Sequence, residues 1–166
     1  AGERGRGASD HPRRGEGDRA AVAIVDVAAI RAALAERCRE LPGLEAYDYR
    51  PDAVQCGPAG AVTILDAEQD TIDYHQVGSE DDARLLFDVT VVVPGTDARA
   101  AQRLLDDYRG VGTERSLVSL LESGGALPGA PGAVTVLSAG PFSQTGDEST
   151  GARYWSVTFS VEVRAG

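Results

Sequence analysis

The fold is decided by the stretch Arg153-Tyr154-Trp155-Ser156-Val157-Thr158-Phe159-Ser160-Val161-Glu162-Val163. Apolar and polar side chains alternate strictly along it. This period of two places five apolar residues on one face of an extended chain, namely Trp155, Val157, Phe159, Val161 and Val163. They are β-branched or aromatic, and such residues suit a pleated surface that is buried on one side. The stretch is therefore predicted to be a β-strand with one buried face.

A second stretch, residues 84–93, repeats this pattern with the apolar positions Leu85, Phe87, Val89, Val91 and Val93. Two long strands that are apolar on one side only predict a sheet with one wet face. Helices elsewhere in the chain are expected to cover the other face. The partner predicted for the final strand is residues 133–137, joined to it by a long polar loop, 138–152.

The first helix is predicted to begin at Asp26, a good N-cap, and to end at Pro42-Gly43. Its apolar residues recur at helical spacing, namely Val27, Ile30, Leu34, Cys38 and Leu41. An alternative start at Asp18 would include residues 20–25.

Thr96 or Asp97 is predicted to cap a second helix, and Thr113 a third. Short strands are expected at 44–49 and 61–65, with 72–76 briefly extended. The predicted fold class is α+β, a single domain with a mostly antiparallel sheet packed by an N-terminal helix and two mid-chain helices, closing in a long-looped C-terminal β-hairpin.

The 166 residues carry a net charge of −10, distributed unevenly. Residues 1–20 contain five Arg and four acids, and their composition predicts a flexible Arg/Gly-rich arm. The remainder, 21–166, has eleven Arg against twenty-two acids, and this acidity argues against nucleic acid as the main partner. No apolar run approaches the ~20 residues of a membrane span, and no signal peptide is visible, so neither a membrane location nor export is expected.

The sequence offers little catalytic chemistry. His75 lies beside Asp73 in a loop, but no serine sits in a strand-to-helix elbow near it. Gly110-x-Gly112 follows a predicted helix and lacks the third glycine of a dinucleotide loop, so it is interpreted as a helix break. No catalytic residue and no cofactor are therefore expected.

Metal binding is not expected either. The run Asp66-x-Glu68-x-Asp70 begins like a calcium loop, but Thr71 and Val77 stand where such a loop needs Gly and Glu. The chain contains 2 cysteines, which do not make a disulfide framework. Both are interpreted as reduced and structural, with a bridge left open as the alternative.

Four stretches carry a family resemblance: 41–51 (Leu-Pro-Gly-Leu-x-x-Tyr-Asp-Tyr-x-Pro), 72–76 (Ile-Asp-Tyr-His-Gln), the strand–helix–helix run 91–117, and 154–163. In their order and spacing, the chain from about Val22 to Val163 resembles the tail terminator proteins of long-tailed (siphovirus-like) bacteriophages of actinobacteria. It departs from them in residues 1–20 and in the extended acidic loop 138–152.

The resemblance implies a structural virion protein that assembles as a homohexameric ring. Such a ring caps the tail tube, stops its polymerisation and joins it to the head connector. The implied partners are other copies of the chain, the tail tube protein and the head-completion proteins. Nucleic acid would only pass through the lumen. The implied location is the neck of the virion, after assembly in the host cytoplasm.

The predicted protein interface lies in the two long loops, because partner contacts concentrate in loops at the end of a sheet. Its candidate residues are Tyr74, His75, Phe142, Asp147 and Glu148. The two aromatic residues are the expected anchors, since aromatic side chains dominate interface energetics. The alternative is that Tyr74 and Phe142 pack onto their own subunit.

Three other functions stay open on the sequence. The nearest is another neck component, either a head–tail connector or a stopper. A second is a small cytoplasmic enzyme that uses His75 and Asp73. A third is a module that binds a small molecule or a peptide on the sheet face.

Overall fold

The computed structural model describes residues 25–68, 72–73, 83–130, 132–147 and 151–165. Its three helices and mostly antiparallel, mixed seven-stranded sheet confirm the predicted α+β class. In chain order the elements are α1 (Val27–Cys38), β1 (Leu44–Tyr47), β2 (Gly60–Asp66), β3 (Ile72–Asp73), β4 (Ala83–Pro94), α2 (Ala98–Arg109), α3 (Leu117–Ser123), β5 (Val134–Ala139), β6 (Ser143–Asp147) and β7 (Ala152–Ala165).

The antiparallel pair β4 and β7 forms the centre of the sheet. Their register runs without a break from Ala83 opposite Ala165 to Pro94 opposite Tyr154. The predicted apolar faces meet across this ladder, as where Val89 lies opposite Phe159. All ten predicted apolar positions are buried except Trp155, which is half-buried, so both strands contribute their inner faces to one core.

The strand order is β1-β2-β4-β7-β5, with β3 also paired to β4 and β6 also paired to β7. Only β1 and β2 run parallel among these pairs. The predicted pairing of β7 with residues 133–137 is confirmed, because β5 lies against it. However, β7 is an interior strand with neighbours on both sides, rather than the outer arm of a hairpin.

The stretch 138–152 is more regular than its predicted loop. Strand β5 continues to Ala139 past a bulge between Val136 and Ser138, and β6 then pairs with the first half of β7. The sequence of β6, Ser-Gln-Thr-Gly-Asp, has no apolar face to reveal it. Its main chain completes the ladder beside β7, and that pairing requires no hydrophobic pattern.

The helix starts follow side-chain caps. Asp26 accepts a hydrogen bond from the main-chain N–H of Ala29 at 3.0 Å and caps α1, whereas the alternative start at Asp18 lies outside the described residues. Asp97, rather than Thr96, caps α2. The prediction of Thr113 as the third cap is wrong, because Ser116 accepts from Ser119 N–H at 3.0 Å while the Thr113 hydroxyl donates to the carbonyl of Asp107.

Two buried polar side chains make hydrogen bonds between elements. One joins a helix to the sheet, and the other joins two helices. The Tyr108 hydroxyl of α2 donates to the carbonyl of Ala59, next to β2, at 2.7 Å. The Arg37 guanidinium of α1 donates to the carbonyl of Leu121 in α3 at 2.9 Å. These contacts fix the helices on one face of the sheet, and within the described residues no helix covers the opposite face.

Candidate protein interface

The face of the sheet opposite the helices carries a row of hydroxyl side chains at its centre, among Leu65, Leu86, Asp88 and Val92. Thr63 on β2 lies opposite Thr90 on β4, and Thr90 lies opposite Thr158 on β7. The Thr90 and Thr158 hydroxyls share a hydrogen bond of 2.9 Å. We call this surface the open face; its half-exposed hydroxyl residues in the central strands are Thr63, Thr90, Ser156, Thr158 and Ser160.

A charged cluster occupies one end of the open face. Glu162 is only 5% exposed, yet it accepts hydrogen bonds from the guanidinium groups of Arg84 and, at 2.9 Å, Arg164. Burial would raise the pKa of this carboxyl, but the hydrogen bonds and charges of the two arginines outweigh burial and lower it. Each carboxylate oxygen already accepts a hydrogen bond from a guanidinium, so the cluster holds β4 and β7 together rather than transferring protons.

Asp88 lies on the same face, one strand position from Thr90 on that side. Burial raises the pKa of its carboxyl, and the negative charge of Glu68 raises it further. Acids so placed repel anionic partners.

A groove of about 260 Å³ crosses the other end of the open face. Its lining comes from the loop before β2 and from three strands, namely Asp52, Ala53, Val54, Val92, Thr145 and Tyr154. Cys56 lies close by, with Sγ 3.9 Å from the carbonyl of Val92, and burial raises the pKa of its thiol. The polar side chains of this lining are Asp52, Thr145 and Tyr154.

The strand edges differ in how well they are covered. On β1, Ala46 is 2% exposed and its carbonyl accepts from Arg39 Nη2 at 2.5 Å. On β5, the main-chain N–H of Val136 donates to a carboxylate oxygen of Glu122 at 3.0 Å. By contrast, residues 143–146 of β6 are exposed, and β7 is the element that β6 packs against in the described structure.

The predicted interface residues are placed unequally. The rings of Phe142 and Trp155 stack with centroids 4.7 Å apart at 10°, and Trp155 Nε1 donates to the carbonyl of Gly95 at 3.2 Å. Phe142 thus contacts its own subunit, as the alternative held, while remaining only half-buried. Asp147 ends β6, where its main chain lies opposite Ala152.

Tyr74, His75 and Glu148 lie outside the described residues, so their predicted roles stay predictions. The structure brings Phe142 and Asp147 into one segment, at and beside β6. Sequence reasoning missed the exposed main chain of Gln144 and Gly146 on that strand. The signal available in the sequence was Gly151, because glycine favours turns, and its φ in the structure is +69°.

The described residues hold no cluster of three or more His, Cys, Asp or Glu side chains that could bind a metal ion. Cys38 and Cys56 are both free, so the bridge left open by the sequence does not form. Burial raises the pKa of the Cys38 thiol to about 12. None of the helices in the described ranges is long and apolar enough to cross a membrane.

Comparison with known proteins adds no functional assignment. No protein-family model matches this chain, and no curated protein matches it. One solved structure, whose chain carries no functional description, is 19% identical over 82% of this chain and 91% of its own length, with a TM-score of 0.36. A likeness this distant carries no argument about function.

Proposed function

We propose that this chain is a structural virion protein, a tail terminator that forms a homohexameric ring at the top of a phage tail tube. In this role the ring stops tube polymerisation and joins the tail to the head connector. The proposal starts from the resemblance of residues 22–163 to that family. The structural observation that supports it best is the open face of the sheet.

An open sheet face in a domain of this size is suited to assembly. Three helices bury one side of the sheet, and the other side presents a row of threonines with few charges at its centre. Hydroxyl groups can exchange hydrogen bonds with water for hydrogen bonds with a partner at little desolvation cost compared with charges. Most of the open face can therefore enter an interface without burying a charge, while Asp88 requires a hydrogen-bond donor from the partner.

A ring requires a head-to-tail contact, in which two different surfaces of one copy meet the complementary surfaces of its neighbours. The proposal assigns the open face and its adjoining segments to one side of this contact. Tyr74, His75, Phe142, Asp147 and Glu148 remain the proposed interface residues. The net charge of −11 over residues 21–166 would let DNA pass through the lumen without binding.

The experiment is assembly with the tail tube protein of the same phage, followed by negative-stain electron microscopy and native mass spectrometry. The proposed function predicts sixfold rings at tube ends. Thr63→Arg, on the open face, should abolish rings, while Gln102→Arg, at an exposed position of α2, should not. Circular dichroism would establish that both variants fold.

Two other outcomes separate the alternatives. Rings that form but do not stop tube growth would support a connector or stopper instead. A monomer that forms no ring with the tube protein, at any ratio of the two proteins, would count against a terminator.

A further inference from the structure

Strand β6 turns the main chain of two residues outward, and no residue in the described part of the structure pairs with that outward side. In β7, the carbonyl of Thr158 and the N–H of Arg164 bond toward the β5 side, whereas the carbonyl of Arg153 bonds toward β4. Even-numbered residues of β7 therefore bond toward β5 and β6. Gln144 and Gly146 lie opposite the odd-numbered Trp155 and Arg153. Their own N–H and C=O groups consequently point away from the sheet.

The middle of this edge, residues 143–146, lacks the charges and prolines that often block strand addition, while β6 as a whole is five residues long and ends at the charged Asp147. Protein edges are commonly protected by prolines, charges, bulges or a covering element. The β5 edge has a bulge and the Glu122 carboxylate, and the β1 edge has the Arg39 guanidinium. Residues 143–146 are Ser, Gln, Thr and Gly, with no charge and no proline. The edge thus presents donors and acceptors at strand spacing to another extended chain.

The edge is complementary to itself. If two copies meet antiparallel about a twofold axis through Thr145, Gln144 of each lies opposite Gly146 of the other. Both residues point outward, so each such pair exchanges two hydrogen bonds, and the two pairs exchange four. The two Thr145 side chains then face each other in a non-hydrogen-bonded position, which is a favourable cross-strand pair.

We propose that β6 pairs with β6 of a second copy in this register, forming a twofold dimer with one continuous sheet. The contact is isologous, so it closes at two copies and cannot by itself build a ring. It does not depend on the proposed ring function. Its role would be to cover the edge while the chain is not assembled, because an exposed edge promotes aggregation.

The contact is small, so the dimer should form reversibly at micromolar to millimolar concentrations rather than permanently. The surfaces that the ring is proposed to use remain available in such a dimer, apart from the edge of β6 itself. A strand from a different protein could pair with the same edge, but that pairing would not bring two copies of Thr145 together.

Cysteine cross-linking tests the register directly. In a Cys56→Ser background, Thr145→Cys should form a disulfide-linked dimer under mild oxidation, since the two Cβ atoms would lie about 4.5–5.5 Å apart. The matched control is Ser143→Cys, on the same face of β6. Two copies of residue 143 would lie about 14 Å apart in this register, four residues of strand rise, which is beyond disulfide reach.

Thr145→Cys is expected to cross-link at least tenfold faster than Ser143→Cys. Equal rates would overturn the proposal, as would cross-linking of neither variant. The result is independent of ring formation, because only the twofold register places residue 145 of one copy opposite residue 145 of the other.

Sedimentation equilibrium across micromolar concentrations provides the second test. Gly146→Pro removes the outward N–H, leaves the ladder to β7 intact and should weaken the dimer at least tenfold. Gly146→Ala keeps that N–H, and its Cβ would meet the carbonyl of Ala152 at an ordinary 3.8 Å, so its dimer should match the wild type. A wild-type monomer at all concentrations, or a dimer unaffected by Gly146→Pro, would overturn the proposal.

Discussion

Arg37 of α1 donates a hydrogen bond of 2.9 Å to the carbonyl of Leu121 in the last turn of α3. The same guanidinium also donates to the carbonyls of Gly124 and Gly125, at 2.9 and 3.0 Å. These oxygens include carbonyls that the end of a helix leaves without partners. A buried arginine from one helix therefore caps another, and the negative end of the α3 dipole stabilises its charge.

Arg37→Ala should destabilise the fold strongly. The change leaves buried carbonyl groups of α3 and its C-terminal turn without donors, and each such group costs about 1–3 kcal/mol. We expect a total loss of about 2–4 kcal/mol in the free energy of unfolding, measured by urea denaturation. Arg37→Lys should lose less, because an ammonium group can still reach one carbonyl.

The control for Arg37 is Arg103→Ala, at an exposed position of α2, where a change within about 0.5 kcal/mol is expected. Equal effects of Arg37→Ala and Arg103→Ala would contradict the capping role.

Gly124→Ala should destabilise through the same arginine. A Cβ at this position would lie 2.4 Å from Arg37 Nε, so the guanidinium must move away from its three carbonyls. The expected cost is about 1–3 kcal/mol. Gly95→Ala is the matched control, since its Cβ would approach no described atom more closely than 3.9 Å.

Because Gly124→Ala acts through Arg37, the double variant Arg37→Ala/Gly124→Ala should be less destabilised than the sum of its single changes. Strict additivity in the urea unfolding free energies would show that the glycine acts by another route.

Glu162→Gln should destabilise the fold at neutral pH, and the loss should become smaller in acid. The folded pKa of Glu162 lies below its ordinary value of 4.5, so the charged carboxylate stabilises the fold above that pH. At pH 7 the variant should lose about 1–3 kcal/mol, because Arg84 and Arg164 keep only a neutral acceptor. As pH falls through the folded pKa, the difference between wild type and variant should narrow.

Thermal unfolding followed at several pH values measures this narrowing. Glu114→Gln, at an exposed position between α2 and α3, serves as the control and should differ little from wild type throughout. A gap between wild type and Glu162→Gln that stays constant from neutral to acid pH would argue against the two-arginine account.

The two cysteines should differ in reactivity toward iodoacetamide. Cys38 is fully buried and its pKa is raised to about 12, so it should react only when the protein unfolds. Cys56 is half-exposed and should react in the native state, more slowly than a free thiol because burial also raises its pKa. Mass spectrometry should find one labelled thiol per native chain and two in denaturant, and early labelling of Cys38 would contradict the core packing.

The core of the fold could be predicted from the sequence because its signals are local and periodic. The alternation in β4 and β7, together with Asp26 and Asp97 as caps, identified the elements that bury apolar surface. Strand β6 could not be predicted, because it is held by main-chain pairing along an existing strand and has no apolar face. Whether Ser116 or Thr113 caps α3 depends on which hydroxyl lies beside a main-chain N–H of the first helical turn once the chain has folded. The sequence does not show this.

The candidate site was less predictable than the core. Phe142 stays a predicted interface anchor, and sequence spacing could not reveal that its ring stacks on Trp155. No sequence pattern singles out Arg37 as a buried residue. Its partners lie more than 80 residues away in the chain, and only tertiary structure brings them together.

The central claim, that this chain terminates a phage tail, is tested most directly by tube length. Tail tube protein should be polymerised with and without this chain, and the tubes measured by electron microscopy. The proposed function predicts tubes with a sixfold ring at one end. The mean tube length should fall as more of this chain is added. Tubes of unchanged length with bare ends at every ratio would contradict it.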